Sequence, residues 1–267
     1  MQKHVASILA IGLTLALGGC AGEGDSNPAP TPSPTPPAAA ADSPEGLWPG
    51  STDTHRTIIS AVLDDNSYYV LYSAPAPSTV IAGFVYGTGI SNNGTFKSTN
   101  AKDFNLEGLG VLDATIDGNY APRDFLKGTV NYSGVMVPNF TTKFDPAYDT
   151  TPSLASLAGI YTGPLGSALG NPGGPLPSVT VTVTTTGTFA GVDASGCHFS
   201  GTITARVRGN IFNGSIIFTD PPPCLFSGIP LNGIVYLDVA APPNGRLYIA
   251  APISSPPTDG VIFSGTR

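Results

Sequence analysis

The chain has 267 residues, of which only 11% are charged. Its 11 Lys and Arg residues against 18 Asp and Glu residues give a formal net charge of −7, so it has little capacity to neutralise phosphates, and nucleic acid is excluded as a partner. The 33 Gly and 27 Pro residues, together with frequent Thr and Ser, indicate an exported, turn-rich β protein.

The N-terminus has the pattern of an export signal. Lys3 supplies a positive charge, and residues 5–17 form an apolar run without any charge. That run is shorter than the roughly 20 residues needed to cross the core of a bilayer. We therefore predict that residues 1–19 are a signal peptide, whose removal takes Lys3 away and changes the formal charge from −7 to −8.

The apolar run ends in Leu17-Gly18-Gly19-Cys20, which resembles the lipobox of bacterial lipoproteins. In that family the signal is cut before the cysteine, the thiol receives a diacylglycerol, and the new amine is usually acylated. The resemblance implies a lipid anchor on Cys20. Because Ala21 follows rather than an aspartate, it also implies export to the outer membrane, facing either the periplasm or the cell surface. The alternative is a plain secretory signal.

Residues 20–44 change composition abruptly and are predicted to be a disordered linker. Between residues 27 and 37, proline alternates with small residues, a pattern that cannot form a core and that favours an extended polyproline II chain. Such a spacer would hold a folded body away from the membrane.

The remaining chain contains two similar units. The sequence GLWPG at residues 46–50 opens the first unit, and GIYTG at residues 159–163 opens the second. Val and Thr alternate over residues 179–184, so the valines are predicted to line one face of a strand and the threonines the other. We predict an all-β fold with two tandem antiparallel domains, 45–152 and 153–267, each a small barrel or sandwich.

Individual strands follow from the same alternation and from turn signals such as Asn93-Gly94. A short helical turn is predicted within residues 149–158, between the two units. The predicted strands of the first unit are 57–63, 67–72, 80–86, 95–98, 103–107, 114–120, 126–132 and 139–144. Those of the second unit are 179–184, 188–191, 198–207, 211–218, 233–239, 246–250 and 261–265.

The Gly-x-Trp opening of the first unit resembles the first strand of lipocalin-like and avidin-like barrels, and it becomes Gly-x-Tyr in the second unit. The resemblance implies a barrel but no particular ligand. The whole layout is similar to uncharacterised proteobacterial outer-membrane lipoproteins with tandem barrel-like repeats, and loosely to transferrin-binding surface lipoproteins.

The three cysteines divide into one anchor and one pair. If Cys20 carries lipid, Cys197 and Cys224 remain in an oxidising compartment, and we predict a disulfide between them. The alternative is two separate buried thiols. His198 is the only histidine near them, which is too few ligands for zinc, so neither a metal nor another cofactor is expected.

Neither cluster of reactive side chains has the spacing of a catalytic site. In the segment from Asp193 to His198, alternate residues of a strand would stand roughly 6.6 Å apart, beyond hydrogen-bond reach. Asp64-Asp65 is followed by Asn66, which is typical of a hairpin turn. We therefore predict no catalytic residues and a protein that is not an enzyme.

Four aromatic residues of the first unit are candidates for a ligand-facing surface, with packing in the core as the alternative: Trp48, Tyr68, Tyr69 and Tyr72. Our leading hypothesis is a non-catalytic, lipid-anchored envelope protein that presents a binding surface to an unidentified protein or small molecule. The alternative is a lipocalin-like carrier of a small apolar ligand. A third and less favoured hypothesis is an enzyme, which would require His55 or His198 to meet a carboxylate and a hydroxyl in the folded chain. An apolar cavity in either barrel would favour the carrier, whereas an interior filled by Val, Ile and Phe would exclude it.

Overall fold

The computed structural model describes residues 42–133, 136–193, 195–222, 224–253 and 256–267. Cys20, most of the linker and the signal peptide lie outside these residues. Strands account for almost all regular structure in the described ranges, with one short 3-10 helix (Pro146–Asp149) and one four-residue α-helix, α1 (Leu154–Leu157). The predicted all-β fold with two tandem barrels is confirmed, and α1 lies where a helical turn was predicted.

The first barrel is a ring of eight antiparallel strands in which each strand pairs with its neighbours along the chain. The eight strands of the ring are β1 (Gly46–Thr52), β2 (Thr57–Val62), β3 (Ser67–Ser73), β4 (Ile81–Thr88), β6 (Thr95–Asn105), β7 (Gly110–Ala121), β8 (Phe125–Asn131) and β9 (Asn139–Lys143), and the ninth, β5 (Ile90–Asn92), lies between β4 and β6 in the chain. Pairing of β4 with β6 and of β1 with β9 closes the ring, and the short β5 pairs only with β6.

The prediction of separate strands at 95–98 and 103–107 was wrong, because β6 runs through both. Its pairing with β7 shifts register between Ser98 and Ala101, which breaks the alternation on which the prediction depended. At this irregularity, the side chain of Asn100 accepts from the Thr88 backbone N–H at 3.0 Å and donates to the Thr88 hydroxyl at 2.8 Å. The side chain thus ties the irregular part of β6 to the end of β4.

The second barrel is closed by eight strands in chain order. They are β10 (Gly159–Ser167), β11 (Ser178–Val183), β12 (Thr188–Val192), β13 (His198–Ala205), β14 (Phe212–Phe218), β15 (Leu231–Asp238), β16 (Arg246–Pro252) and β17 (Gly260–Thr266). Val179, Val181 and Val183 are buried, whereas the threonines between them are exposed, as the alternation predicted.

The two units repeat each other in detail, which confirms the internal repeat. Trp48 on β1 donates from its indole N–H to the carbonyl of Pro44 at 2.8 Å, and Tyr161 on β10 donates from its hydroxyl to the carbonyl of Leu157 at 2.9 Å. Each aromatic ring is fully buried and bonds to the residue four positions earlier. Trp48 and Tyr161 therefore have equivalent positions and equivalent hydrogen bonds at the first strand of each unit.

The barrels pack against each other through outward-facing apolar residues, and both belong to the same compact unit of the chain. The first barrel contributes Tyr69, Leu71 and Phe104 among others, and the second contributes Ile234 and Ile262. Ion pairs supplement this apolar contact. Arg206 of the second barrel pairs with Asp64 in the β2–β3 turn, and Arg208 pairs with the buried Glu45 at 3.2 Å.

Candidate ligand cavity in the first barrel

The interior of the first barrel contains a cavity of about 140 Å³. Inward-facing side chains of β2, β3, β6, β7 and β8 provide most of its wall. At the inner end the wall is apolar, with Val62, Phe96, Ile116 and Leu126 among its residues. These residues point inward because side chains alternate along a strand, and every second residue of a closed barrel faces the interior.

Asp103 is a buried carboxylate in this apolar wall. It is 3% exposed and lies on β6 between the inward-facing Ala101 and Asn105. The Tyr72 hydroxyl donates to its Oδ1 at 2.7 Å, and the Tyr132 hydroxyl donates to its Oδ2 at 2.9 Å. Two hydroxyl groups from different parts of the barrel thus fix the orientation of the carboxylate.

Burial raises the pKa of Asp103 from 3.8 to about 6. The hydrogen bonds from Tyr72 and Tyr132 and the positive charge of Arg56 favour the ionised form, but they offset only part of the desolvation. Burial, together with the nearby charge of Asp103, raises the pKa of both tyrosines well above the usual range. At neutral pH the site therefore presents a carboxylate held by two protonated phenols.

Arg56 and Glu107 form an ion pair where strands of the first barrel meet their connecting loops. Arg56 Nη2 lies 2.7 Å from Glu107 Oε2, and its Nη1 donates to the carbonyl of Ser73 at 2.9 Å. The guanidinium also lies over the ring of Tyr72, 5.4 Å from the ring centroid. These contacts hold Arg56 near the carboxylate of Asp103 without a direct ion pair between them.

Two exposed apolar side chains stand at the same end of the cavity. Leu109 is 59% exposed and Met136 is 44% exposed, and both belong to the cavity wall. Each lies in a connection between strands, Leu109 before β7 and Met136 before β9. Exposed apolar side chains beside a partly polar cavity are typical of the entrance to a ligand site.

The four candidate aromatic residues take different positions. Tyr68 and Tyr72 face the cavity, and the Tyr68 hydroxyl donates to Ser98 Oγ at 2.8 Å. Tyr69 faces outward and packs against Tyr86, with ring centroids 4.9 Å apart. Trp48 is buried in the core of the first barrel, and its ring packs edge-on against Phe144. The structure thus brings two of the four side chains together at the cavity.

Asp103, Tyr132 and Arg56 are the site residues that sequence reasoning missed. A single acidic residue in a strand is expected to face solvent, opposite an apolar neighbour such as Phe104. One signal was available in Asp103-x-Asn105, two polar residues that share one face of a predicted strand. The sequence does not assign that face to the interior, because the register shift in β6 breaks the alternation along the strand.

Aromatic and branched side chains occupy the interior of the second barrel, and a pocket of about 220 Å³ opens at one end of it beside Leu165, Phe218 and Phe226. The interior holds Phe189, Phe199, Phe212 and Phe263, together with the buried valines of β11. The predicted disulfide is present, joining Cys197 to Cys224 with their Cα atoms 5.7 Å apart. It holds the connection between β14 and β15 at one end of this barrel, where Phe226 packs against Phe218 with ring centroids 6.1 Å apart.

The cluster that begins at Asp193 has a structural arrangement. Asp193 Oδ1 accepts from the backbone N–H groups of Ser195 at 2.8 Å and Cys197 at 3.0 Å, which closes the turn before β13. His198 Nδ1 lies 2.8 Å from Asp220 Oδ2 in an exposed pair. Across the described residues, no group of three or more His, Cys, Asp or Glu side chains is placed to hold a metal ion.

Comparison of the chain with models of protein families, with curated proteins and with solved structures finds no match. Within the described ranges, none of the helices has the length and apolar character required to cross a membrane.

Proposed function

We propose that this protein is a lipid-anchored envelope protein that binds a small, largely apolar ligand inside its first barrel. The anchor is the predicted acylation of Cys20, and the linker would hold the barrels away from the outer membrane. The observation that carries the ligand site is the difference between two otherwise similar barrels. Phe and Val occupy the interior of the second barrel and its pocket lies at one end, whereas the first keeps a mainly apolar cavity of about 140 Å³ among its inward-facing side chains.

The size of the cavity limits the ligand. An engineered apolar cavity of about 150 Å³ in another protein binds benzene, so the space here accommodates about one ring or a short chain. Burial of apolar surface would supply most of the affinity. The carrier hypothesis is therefore favoured over a surface that binds another macromolecule, because the apolar space lies inside the barrel.

Titration of the full-length protein with toluene tests the cavity, with binding followed by calorimetry or by NMR shifts. The variant Val130→Phe places a ring on a side chain that lines the cavity. It should abolish toluene binding because it fills the space that the ligand needs. The matched control is Val239→Phe, the same substitution at a residue that is 74% exposed on the second barrel.

The control variant should bind toluene as the native protein does. Because partitioning of toluene into detergent or lipid is the same for both variants, a difference between them reports binding in the cavity. The proposal fails if the native protein binds no toluene, or if both variants bind it equally well.

A further inference from the structure

The cavity has an excess of negative charge. Three of its lining residues are charged, namely Arg56, Asp103 and Glu107. Arg56 and Glu107 neutralise each other in an ion pair of 2.7 Å. Asp103 therefore provides the net charge that a ligand in the first barrel would meet.

Asp103 retains hydrogen-bonding capacity. A carboxylate has about four lone-pair positions, and the hydroxyls of Tyr72 and Tyr132 use one on each oxygen. Among the described residues, no cation lies within salt-bridge distance of Asp103. A buried carboxylate that lacks a cation is unfavourable, and a cation from a ligand would relieve this desolvation.

Aromatic rings surround the same space. Tyr68, Tyr72, Phe96 and Tyr132 all belong to the cavity wall. Aromatic faces attract cations, and the attraction is stronger in a desolvated site. An anionic ligand, in contrast, would be repelled by Asp103 and would gain little from Arg56, whose charge is already paired with Glu107.

We propose that the ligand of the first barrel is a small amine cation with one apolar ring or a short apolar chain. Its ammonium group lies against Asp103 and its apolar part occupies the inner end of the cavity. This assignment rests on the proposed ligand-binding function and specifies the chemical class of the ligand.

Three probes of similar size test the assignment by calorimetry on the full-length protein: benzylamine, benzyl alcohol and benzoate. Benzylamine should bind about tenfold more tightly than benzyl alcohol or better, since a hydrogen bond to a charged group exceeds a neutral one by that order. Benzoate should not bind. The preference for benzylamine should disappear in Asp103→Asn and persist in the control Asp117→Asn, which removes an exposed carboxylate.

A pH series provides a second measurement that does not depend on the folding of a variant. Benzylamine stays protonated between about pH 5 and about pH 8, so its affinity should fall as Asp103 becomes protonated near its pKa of about 6. The groups that face Asp103 are Tyr72, Tyr132, Arg56 and Glu107. All of them remain in Asp103→Asn, so this variant reports any pH dependence that Asp103 does not cause.

The outcomes separate the two proposals. Equal affinity for benzylamine and benzyl alcohol, or a preference that survives in Asp103→Asn, overturns the amine assignment while leaving a ligand-binding barrel. If neither these probes nor toluene bind, the proposed function itself is overturned.

Discussion

The two hydroxyl groups that bond to Asp103 come from opposite directions along the chain. Tyr72 lies 31 residues before it and Tyr132 lies 29 residues after it. Closure of the barrel brings the three side chains together, and each tyrosine remains protonated because burial raises its pKa. The carboxylate is consequently well oriented but incompletely compensated, which is typical of a functional group maintained at some cost in stability.

That cost predicts a pH-dependent stability. The folded protein holds the proton of Asp103 more tightly than the unfolded chain does, because the pKa rises from 3.8 to about 6 on folding. The contribution of Asp103 to the free energy of unfolding is therefore greatest below about pH 4 and is lost as the pH rises to about 6. At 1.36 kcal/mol per pKa unit, the loss is about 3 kcal/mol.

Between about pH 4 and about pH 7, the free energy of unfolding of Asp103→Asn should therefore rise by about 3 kcal/mol relative to that of the native protein. Urea unfolding at a series of pH values measures this difference. Asp117→Asn serves as the control, because its carboxylate is exposed and pairs with Lys97 at the surface. Parallel stability curves for the native protein and Asp103→Asn would contradict the assignment of a buried, destabilised carboxylate.

Among the elements, the connections at one end of each barrel differ most. In the first barrel, β6 and β7 are joined by residues 106–109, and the exposed Leu109 stands there beside the cavity. The equivalent connection of the second barrel spans residues 219–230, and the disulfide fixes it to the turn before β13. The longer connection places Phe226 against the core of the second barrel, where the first barrel has its cavity entrance.

The disulfide should stabilise the second barrel without affecting the ligand site. In the chain-entropy model, a loop of 27 residues contributes about 3–4 kcal/mol. The double variant Cys197→Ser and Cys224→Ser should lose about this amount of unfolding free energy in urea. Probe binding to the first barrel should be unchanged, because the disulfide lies outside it.

Reductant provides the control, since it should destabilise the native protein and leave the double variant unaffected. An unchanged urea midpoint in the double variant would show that the loop is held by its packing alone.

The elements that can be predicted from the sequence are those marked by a local pattern of residues. The Val/Thr alternation gave the face that β11 buries, Asn93-Gly94 marked the β5–β6 turn, and cysteine parity gave the disulfide. Tyr68 and Tyr69 show the limit of such patterns. Alternation requires that the two face opposite sides, but only barrel closure decides which side is the interior. Whether an interior is hollow depends on the summed volumes of eight strands, which no local pattern contains.

At the scale of the whole molecule, the proposed anchor would determine where the barrels act. Replacement of Cys20 by Ala should abolish acyl labelling and release the protein from the membrane fraction, because acyl chains provide the predicted attachment. The Cys197→Ser and Cys224→Ser variant is the matched control and should still be labelled. Continued acyl labelling of Cys20→Ala would refute the anchor, and protease treatment of intact cells would show whether the barrels face the surface.

Because the barrels are in contact, the two sides of the cavity differ in how easily they deform. β3 is a single layer that faces the cavity with Tyr68 and Tyr72 and contacts the second barrel with Tyr69 and Leu71. This side is backed by a packed core and therefore resists deformation. On the opposite side of the ring, β8 carries the exposed Lys127 on its outer face. We therefore expect ligands of different width to be accommodated by movement of the solvent-facing side of the first barrel. The side that packs against the second barrel should keep its position.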